Sequence, residues 1–185
     1  MKVVMPWTER YDPHSVQTLI AHTPHAGAIT WARVDADDEA YWRLLSDLWA
    51  QHEDFVIVEH DIEIHSDVLP AFESCTAPWC VNAYFGQPYK RYPVPLLRVA
   101  LGCVRFRGEF TAKYPNILEG LTNRHWRRLD SLIATRLQQY GERVHEHEPN
   151  VVHHHDYEKN PSTPPRGDQR RIPLVAKVPG MRDGP

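Results

Sequence analysis

Apolar residues in this chain follow two rhythms, and the switches between them mark out the elements. Lys2–Pro6 is a short apolar strand, stopped by Pro6 and followed by the polar Thr8-Glu9-Arg10. Over His14–His22, Val16, Leu19 and Ile20 fall at helical spacing, with Asp12 or Ser15 near the start as cap. Gly27–Val34 reads as a second strand. Asp35-Ala-Asp-Asp38 then supplies N-cap candidates for a helix over Glu39–Gln51, where Tyr41, Leu44, Leu45, Leu48 and Trp49 form one stripe. Phe55-Val-Ile-Val58 follows, an unbroken apolar run of the kind found in strands covered on both faces.

Further along, the spacing predicts a helix over Ser66–Ser74, a strand over Trp79–Phe85, a Pro-rich loop at Gly86–Pro95 and a strand over Leu96–Arg105 interrupted at Gly102. A longer helix covers Asn123–Tyr140, with Trp126, Leu129, Ile133, Leu137 and Tyr140 on one side and Gly141 as its stop. Val144–His147 and Val151–His153 are two short extended segments around Glu148-Pro-Asn150. Beyond residue 160, six prolines interrupt a segment with almost no apolar periodicity. It reads as a flexible, basic tail over 161–185 behind a domain over 1–160.

Alternating strands and helices predict an α/β fold with a mostly parallel central sheet flanked by helices. At 185 residues the chain suits one domain. A formal charge of −3 gives no electrostatic case for a polyanionic partner. Cys75, Cys80 and Cys103 match neither a disulfide framework nor a zinc motif, which fits a reducing cytoplasm. The opening residues are too short for a signal peptide, and no apolar run reaches membrane-spanning length, so a soluble cytoplasmic protein with no membrane partner is expected.

Candidate chemistry begins where the buried strand ends, at Glu59-His60-Asp61. Residues two apart on an extended strand leave on the same side, so Glu59 and Asp61 would share a face. Paired carboxylates at the end of a buried strand are costly unless they hold a cation. Hard oxygens suit Mg²⁺ or Mn²⁺, which suit a diphosphate. The competing reading is a strand running into an acidic surface turn. Two more groups fall into order behind this one: Asp130, Arg136 and Gly141 on and after the long helix, and His153-His154-His155 about a dozen residues beyond that glycine. Asp130 could equally be an exposed helix residue. Of the three histidines, at most two can face one site.

Together these elements resemble the inverting, family 2-like glycosyltransferases of the GT-A fold. That family carries an acid-X-Asp motif after a buried strand. An acidic residue then opens a helix, six residues before an arginine that is five before a glycine, and a histidine closes the pattern. Here Asp130 to Arg136 is six and Arg136 to Gly141 is five. Lys2-Val-Val-Met-Pro-Trp-Thr-Glu9 is similar to the family's first nucleotide-binding strand and turn, and Leu101–Arg107 to its glycine-containing acceptor-side strand. The resemblance spans roughly residues 1–157. The family usually has Asp-X-Asp where this chain has Glu-His-Asp.

The resemblance implies a GT-A-like, Rossmann-related fold and a metal-dependent transfer from a nucleoside-diphosphate sugar, UDP being the family default. Asp61, Glu59 and one of His153 or His155 would serve a Mn²⁺ or Mg²⁺ ion. Asp130 would be the general base. Pro6, Thr8, Glu9, Asp35 and His60 would lie on the nucleotide side, and Gly102, Arg105 and Trp126 on the acceptor side. His60, pointing away from its two acidic neighbours, has a structural reading too, and Asp35 a helix-capping one. Such compactness looks like stripped-down enzymes of bacteria or phages, whose acceptors include hydroxymethylated DNA bases and proteins. The basic tail would suit DNA. A metal-dependent hydrolase or nuclease built on the same acids, and a nucleotide-sugar-binding module without turnover, are the competing functions.

Overall fold

The structure, a computed structural model, describes residues 1–9, 11–82, 101–147 and 151–154. Its centre is a six-stranded sheet in the order β2-β1-β3-β6-β5-β7. The strands are β1 (Lys2–Trp7), β2 (Ile29–Arg33), β3 (Phe55–Val58), β5 (Trp79–Asn82), β6 (Cys103–Phe106) and β7 (His145–His147). β1 runs parallel to β2 and β3, and β5 parallel to β7, while β6 runs against both β3 and β5. Five of the six strands therefore point the same way. A smaller sheet pairs β4 (Ile62–Ile64) antiparallel with β8 (Val151–His153).

Strand alternation divides the apolar residues into two cores. Phe55 and Ile57 face one side with Val4, Trp79, Val104 and Phe106, under α2 (Ala40–Ala50), α4 (Gly108–Lys113) and α5 (Trp126–Gln139). Val56 and Val58 face the other with Met5, Cys80 and Cys103, under α1 (Pro13–His22) and α3 (Val68–Ser74). The apolar run at β3 is thus covered on both faces, as its composition requires. Trp49 anchors the first core, with its ring edge-on to Phe106 at 4.9 Å, while Trp79 stacks on Phe106 at 5.7 Å. Burial of such rings contributes several kcal/mol, and edge-to-face pairing adds about 0.5–1.5 kcal/mol.

Local chemistry sets the boundaries. The Asp12 carboxylate accepts the Ser15 N–H at 2.7 Å and caps α1, with Pro13 at its first position. Asp37 accepts the Glu39 N–H at 2.9 Å ahead of α2. α5 ends at Gly141 (φ +78°), where the Glu142 N–H reaches Leu137 O and the Gly141 N–H reaches Gln138 O.

Three expectations need correction or trimming. The extended segments at 144–147 and 151–153, neighbours in sequence, do not pair with each other. β7 joins the large sheet beside β5, and β8 leaves it for β4, where Val151 covers Ile64. The strand expected over Gly27–Val34 opens with a 3-10 turn at Ala26–Ala28. α4 lies where no helix was expected, because six residues with Phe110 as apolar anchor are too few to display a period. The Pro-rich loop, the first part of the strand expected from Leu96, and the 161–185 tail lie outside the described residues.

α4 enters beside the end of α2 with no room to spare. A Cβ on Gly108 would sit 2.1 Å from the His52 carbonyl oxygen, and the Gly108 N–H is held by Asp54 Oδ1 at 2.8 Å. Gly108→Ala is therefore expected to lose about 1–3 kcal/mol of stability in urea unfolding. Glu109→Ala, one residue on, should stay within about 1 kcal/mol of the parent.

Candidate active site at the carboxyl edge of the sheet

The sheet reverses its winding at β1. The chain goes from β1 to β2 on one side and returns to β3 on the other, which opens a crevice beyond the carboxyl end of β1, the usual ligand position in such sheets. Residues that follow β1, β2 and β3 meet there. Glu59 is the first residue past β3, and its N–H donates to the Gly102 carbonyl at 2.7 Å, just before antiparallel β6. The Ile62 N–H then returns to Glu59 O at 3.0 Å, so Glu59–Asp61 turns instead of continuing as strand. Its acids are nonetheless turned inward. The Tyr41 hydroxyl of α2 donates to Glu59 Oε1 at 2.9 Å, and His153 Nε2 of β8 lies 3.2 Å from Asp61 Oδ2.

Asp130 arrives from the opposite direction. It is the fifth residue of α5, and its Oδ2 accepts the Leu101 N–H at 3.3 Å. Leu101 and Gly102 thus clip α5 to the end of β3, and Asp130 is not a solvated helix position. Arg136, six residues on, donates to the carbonyls of Ile117 and Glu119 at 2.6 Å each. That arginine serves the loop after α4, which explains its presence on the helix structurally.

Glu59 feels the charges of both other carboxylates. Burial pushes the Glu59 carboxyl up to about 8, with the charges of Asp130 and Asp61 adding to the rise and the Tyr41 hydrogen bond opposing it. Burial also pushes Asp130 up, to about 6, against the pull of the Leu101 N–H and the His153 ring. Burial acts the same way on Asp61, but the His153 contact outweighs it and holds Asp61 below its ordinary value. Burial and local partners thus push the three carboxyls apart: Glu59 and Asp130 up, Asp61 down.

The nucleotide-side candidates gather at the ends of β1 and β2. Thr8 Oγ1 lies 3.1 Å from His60 Nε2. The Glu9 N–H donates to Asp35 Oδ2 at 2.9 Å, and Arg33 bridges Asp35 Oδ1 and Glu9 Oε1 at 2.6 Å each. Two expected residues are placed elsewhere. Pro6 is buried within β1, in register with Ala32. Arg105 is 1% exposed on the α3 side of the sheet, where its guanidinium donates to Cys80 Sγ and to the Cys75 and Ala77 carbonyls. Alternation explains that: Cys103 and Arg105 share the face opposite Val104. Gly102 reaches the site through its backbone. Trp126 is the first residue of α5, and His155 lies outside the described residues.

Sequence reasoning missed a supporting layer. Glu63, 4% exposed, is gripped by His154 Nε2 at 2.9 Å and His14 Nε2 at 3.3 Å. The His154 N–H donates to Asp61 O at 2.8 Å. The contact with Glu63 pulls His154 up from its ordinary value. The spacing 59, 61, 63 was a readable signal for Glu63, whereas nothing in the sequence pointed to His14, Arg33 or Tyr41. An open cleft of about 580 Å³ runs beside the starts of α2 and α5, lined by Asp38, Glu39, Asn123, Arg124, His125 and Arg128. Arg124 pairs with Glu39 at 3.3 Å and covers the Trp42 ring at 3.9 Å.

No known family and no curated protein matches this chain in sequence. In structure it is similar to a glycosyltransferase involved in the glycosylation of the major capsid of PBCV-1. The two share 10% identity and a TM-score of 0.51 over 83% of this chain and 92% of that one. The chain has a glycosyltransferase fold. Among the described residues, no helix is long and apolar enough to cross a membrane.

The Glu59 shift sets a sign for stability. Its folded value lies above its ordinary 4.5, so between the two the folded chain holds a proton that the unfolded chain has released. Stability should therefore fall as pH rises through that window. In chelator, Glu59→Gln should gain on the parent between about pH 5 and about pH 8.5, read by urea unfolding. Equal pH slopes for the two would contradict this arrangement.

Proposed function

We propose that this chain is a metal-dependent inverting glycosyltransferase, taking a sugar from a nucleoside-diphosphate sugar, UDP by default, to an acceptor hydroxyl. The observation that carries the reading is the meeting of Glu59, Asp61, Asp130 and His153 at the switch-point edge of a sheet with a glycosyltransferase fold.

The acids fit a hard divalent ion. Burial, with the charges of Asp130 and Asp61 adding to it, keeps a proton on Glu59, and a dication held there would favour its ionised form. Asp61 and His153 would hold Mn²⁺ or Mg²⁺. Glu59 would act through water, since the only three ligand atoms within 4.8 Å of one another among the described residues lie elsewhere. Bound there, the ion would neutralise charge developing on the departing diphosphate. Thr8, Glu9, Asp35 and His60 line the crevice on the side where the nucleoside would sit, with Arg33 fixing Glu9 and Asp35. Glu63, between His14 and His154, positions His154, the residue after β8.

Asp130 takes the proton from the attacking hydroxyl. Its raised carboxyl, near 6, suits a base working close to neutrality. The acceptor oxygen bonds to the anomeric carbon from the face opposite the diphosphate. The bond from that carbon to the phosphate oxygen breaks, and its electron pair leaves with the diphosphate. No covalent glycosyl-enzyme is needed. The cleft beside the starts of α2 and α5 is where the acceptor would approach. The acceptor is a protein or a hydroxymethylated DNA base; the capsid glycosylation of the structural neighbour favours a protein.

Asp61→Asn is expected to abolish metal-dependent donor binding. Asp130→Asn should leave donor binding intact while transfer falls ~10²–10⁴-fold. Calorimetric donor binding and release of nucleoside diphosphate separate the two. Full turnover by Asp130→Asn would remove it as the base.

A further inference from the structure

A second cluster lies on the α3 side of the sheet, at its β7 edge, and none of its members belongs to the carboxylate site. His145 and His147 are two apart on β7 and so leave the strand on one face. β7 lies parallel to β5 with His145 opposite Cys80 and His147 opposite Asn82. From below, the C-terminal end of α3 brings Cys75 to the same place, and Phe72 of that helix packs edge-on to the His147 ring at 5.4 Å. One ligand atom each of Cys75, His145 and His147 falls within 4.8 Å of the others.

We propose that Cys75, His145 and His147 form a zinc site that ties the end of α3 to the edge strand β7. The donor set is one thiolate and two imidazoles, the soft and borderline ligands that zinc takes in tetrahedral sites. At ordinary zinc bond lengths such donors stand roughly 3.5 Å apart, so they close in by about an ångström, within reach of side-chain rotation. A separate observation points the same way: the buried Nε2 of His147 has no hydrogen-bond partner among the described residues. An orphaned ring nitrogen beside a thiol is what a metal ligand looks like before it is bound.

The groups facing the cluster set its limits. Arg105, buried beneath it, disfavours a dication, and its Nη2 is occupied by the Cys75 and Ala77 carbonyls. The Cys75 thiolate is then the ligand that offsets both charges, and the site should fail without it. Cys80 is adjacent, but its Sγ accepts from Arg105 Nε at 3.3 Å. It therefore stays outside the coordination, and water fills the fourth position. His145 is exposed at the sheet edge and leaves the metal a way in.

The test uses the full chain, stripped with chelator and titrated with Co²⁺ and then Zn²⁺. One equivalent of Co²⁺ should give a thiolate-to-metal charge-transfer band that Zn²⁺ displaces. With zinc ~100-fold above its Kd, the melting temperature should rise about 5–10 °C. Cys75→Ser and His147→Gln should each lose the band and the rise, while Asp61→Asn and Cys80→Ser keep both. Circular dichroism of the metal-free variants checks that they fold. A band that survives Cys75→Ser, or no band in the parent chain, would overturn the proposal.

Discussion

Three carboxylates held where water is scarce are the constraint on which the rest of this structure turns. Glu59, Asp61 and Asp130 come from a strand end, a turn and a helix, and no local preference would bring them together. Each is held by a specific donor: the Tyr41 hydroxyl, the His153 imidazole and the Leu101 N–H. The cost is visible in the raised carboxyls of Glu59 and Asp130.

The surrounding architecture can be followed from that point outward. The switch in winding at β1 opens the crevice, and antiparallel β6 places Gly102 against Glu59. β8 leaves its sequence neighbour β7 to pair with β4, and that exchange carries His153 to Asp61 and His154 to Glu63. Had 144–153 closed as a local hairpin, neither histidine would have met its acid. Residues far from the chemistry hold its frame, as Arg136 does by binding the loop after α4.

Much of this was legible in the chain because burial imposes a period. The four apolar residues of β3 and the stripes of α2 and α5 announced elements with one covered face or two. The acids at 59, 61 and 130 could be picked out because order and spacing survive in sequence even when distance does not. Three kinds of information were illegible. Which face of a strand a residue takes depends on register, so Arg105 read as an acceptor-side residue and proved to lie beneath the sheet. Partners contributed by other elements, such as Tyr41, Arg33 and His14, carry no local signal. The Cys75, His145 and His147 cluster has no motif because its first ring comes seventy positions after its thiol, and only the β5–β7 pairing closes them.

The most direct test of the glycosyltransferase account is a thermal-shift panel of UDP-, GDP-, TDP- and CDP-sugars, each with Mn²⁺ and with EDTA. The account predicts a rise in melting temperature for one nucleotide class that needs the metal and vanishes in Asp61→Asn. A panel in which no nucleotide sugar shifts the parent chain with Mn²⁺ present would contradict it.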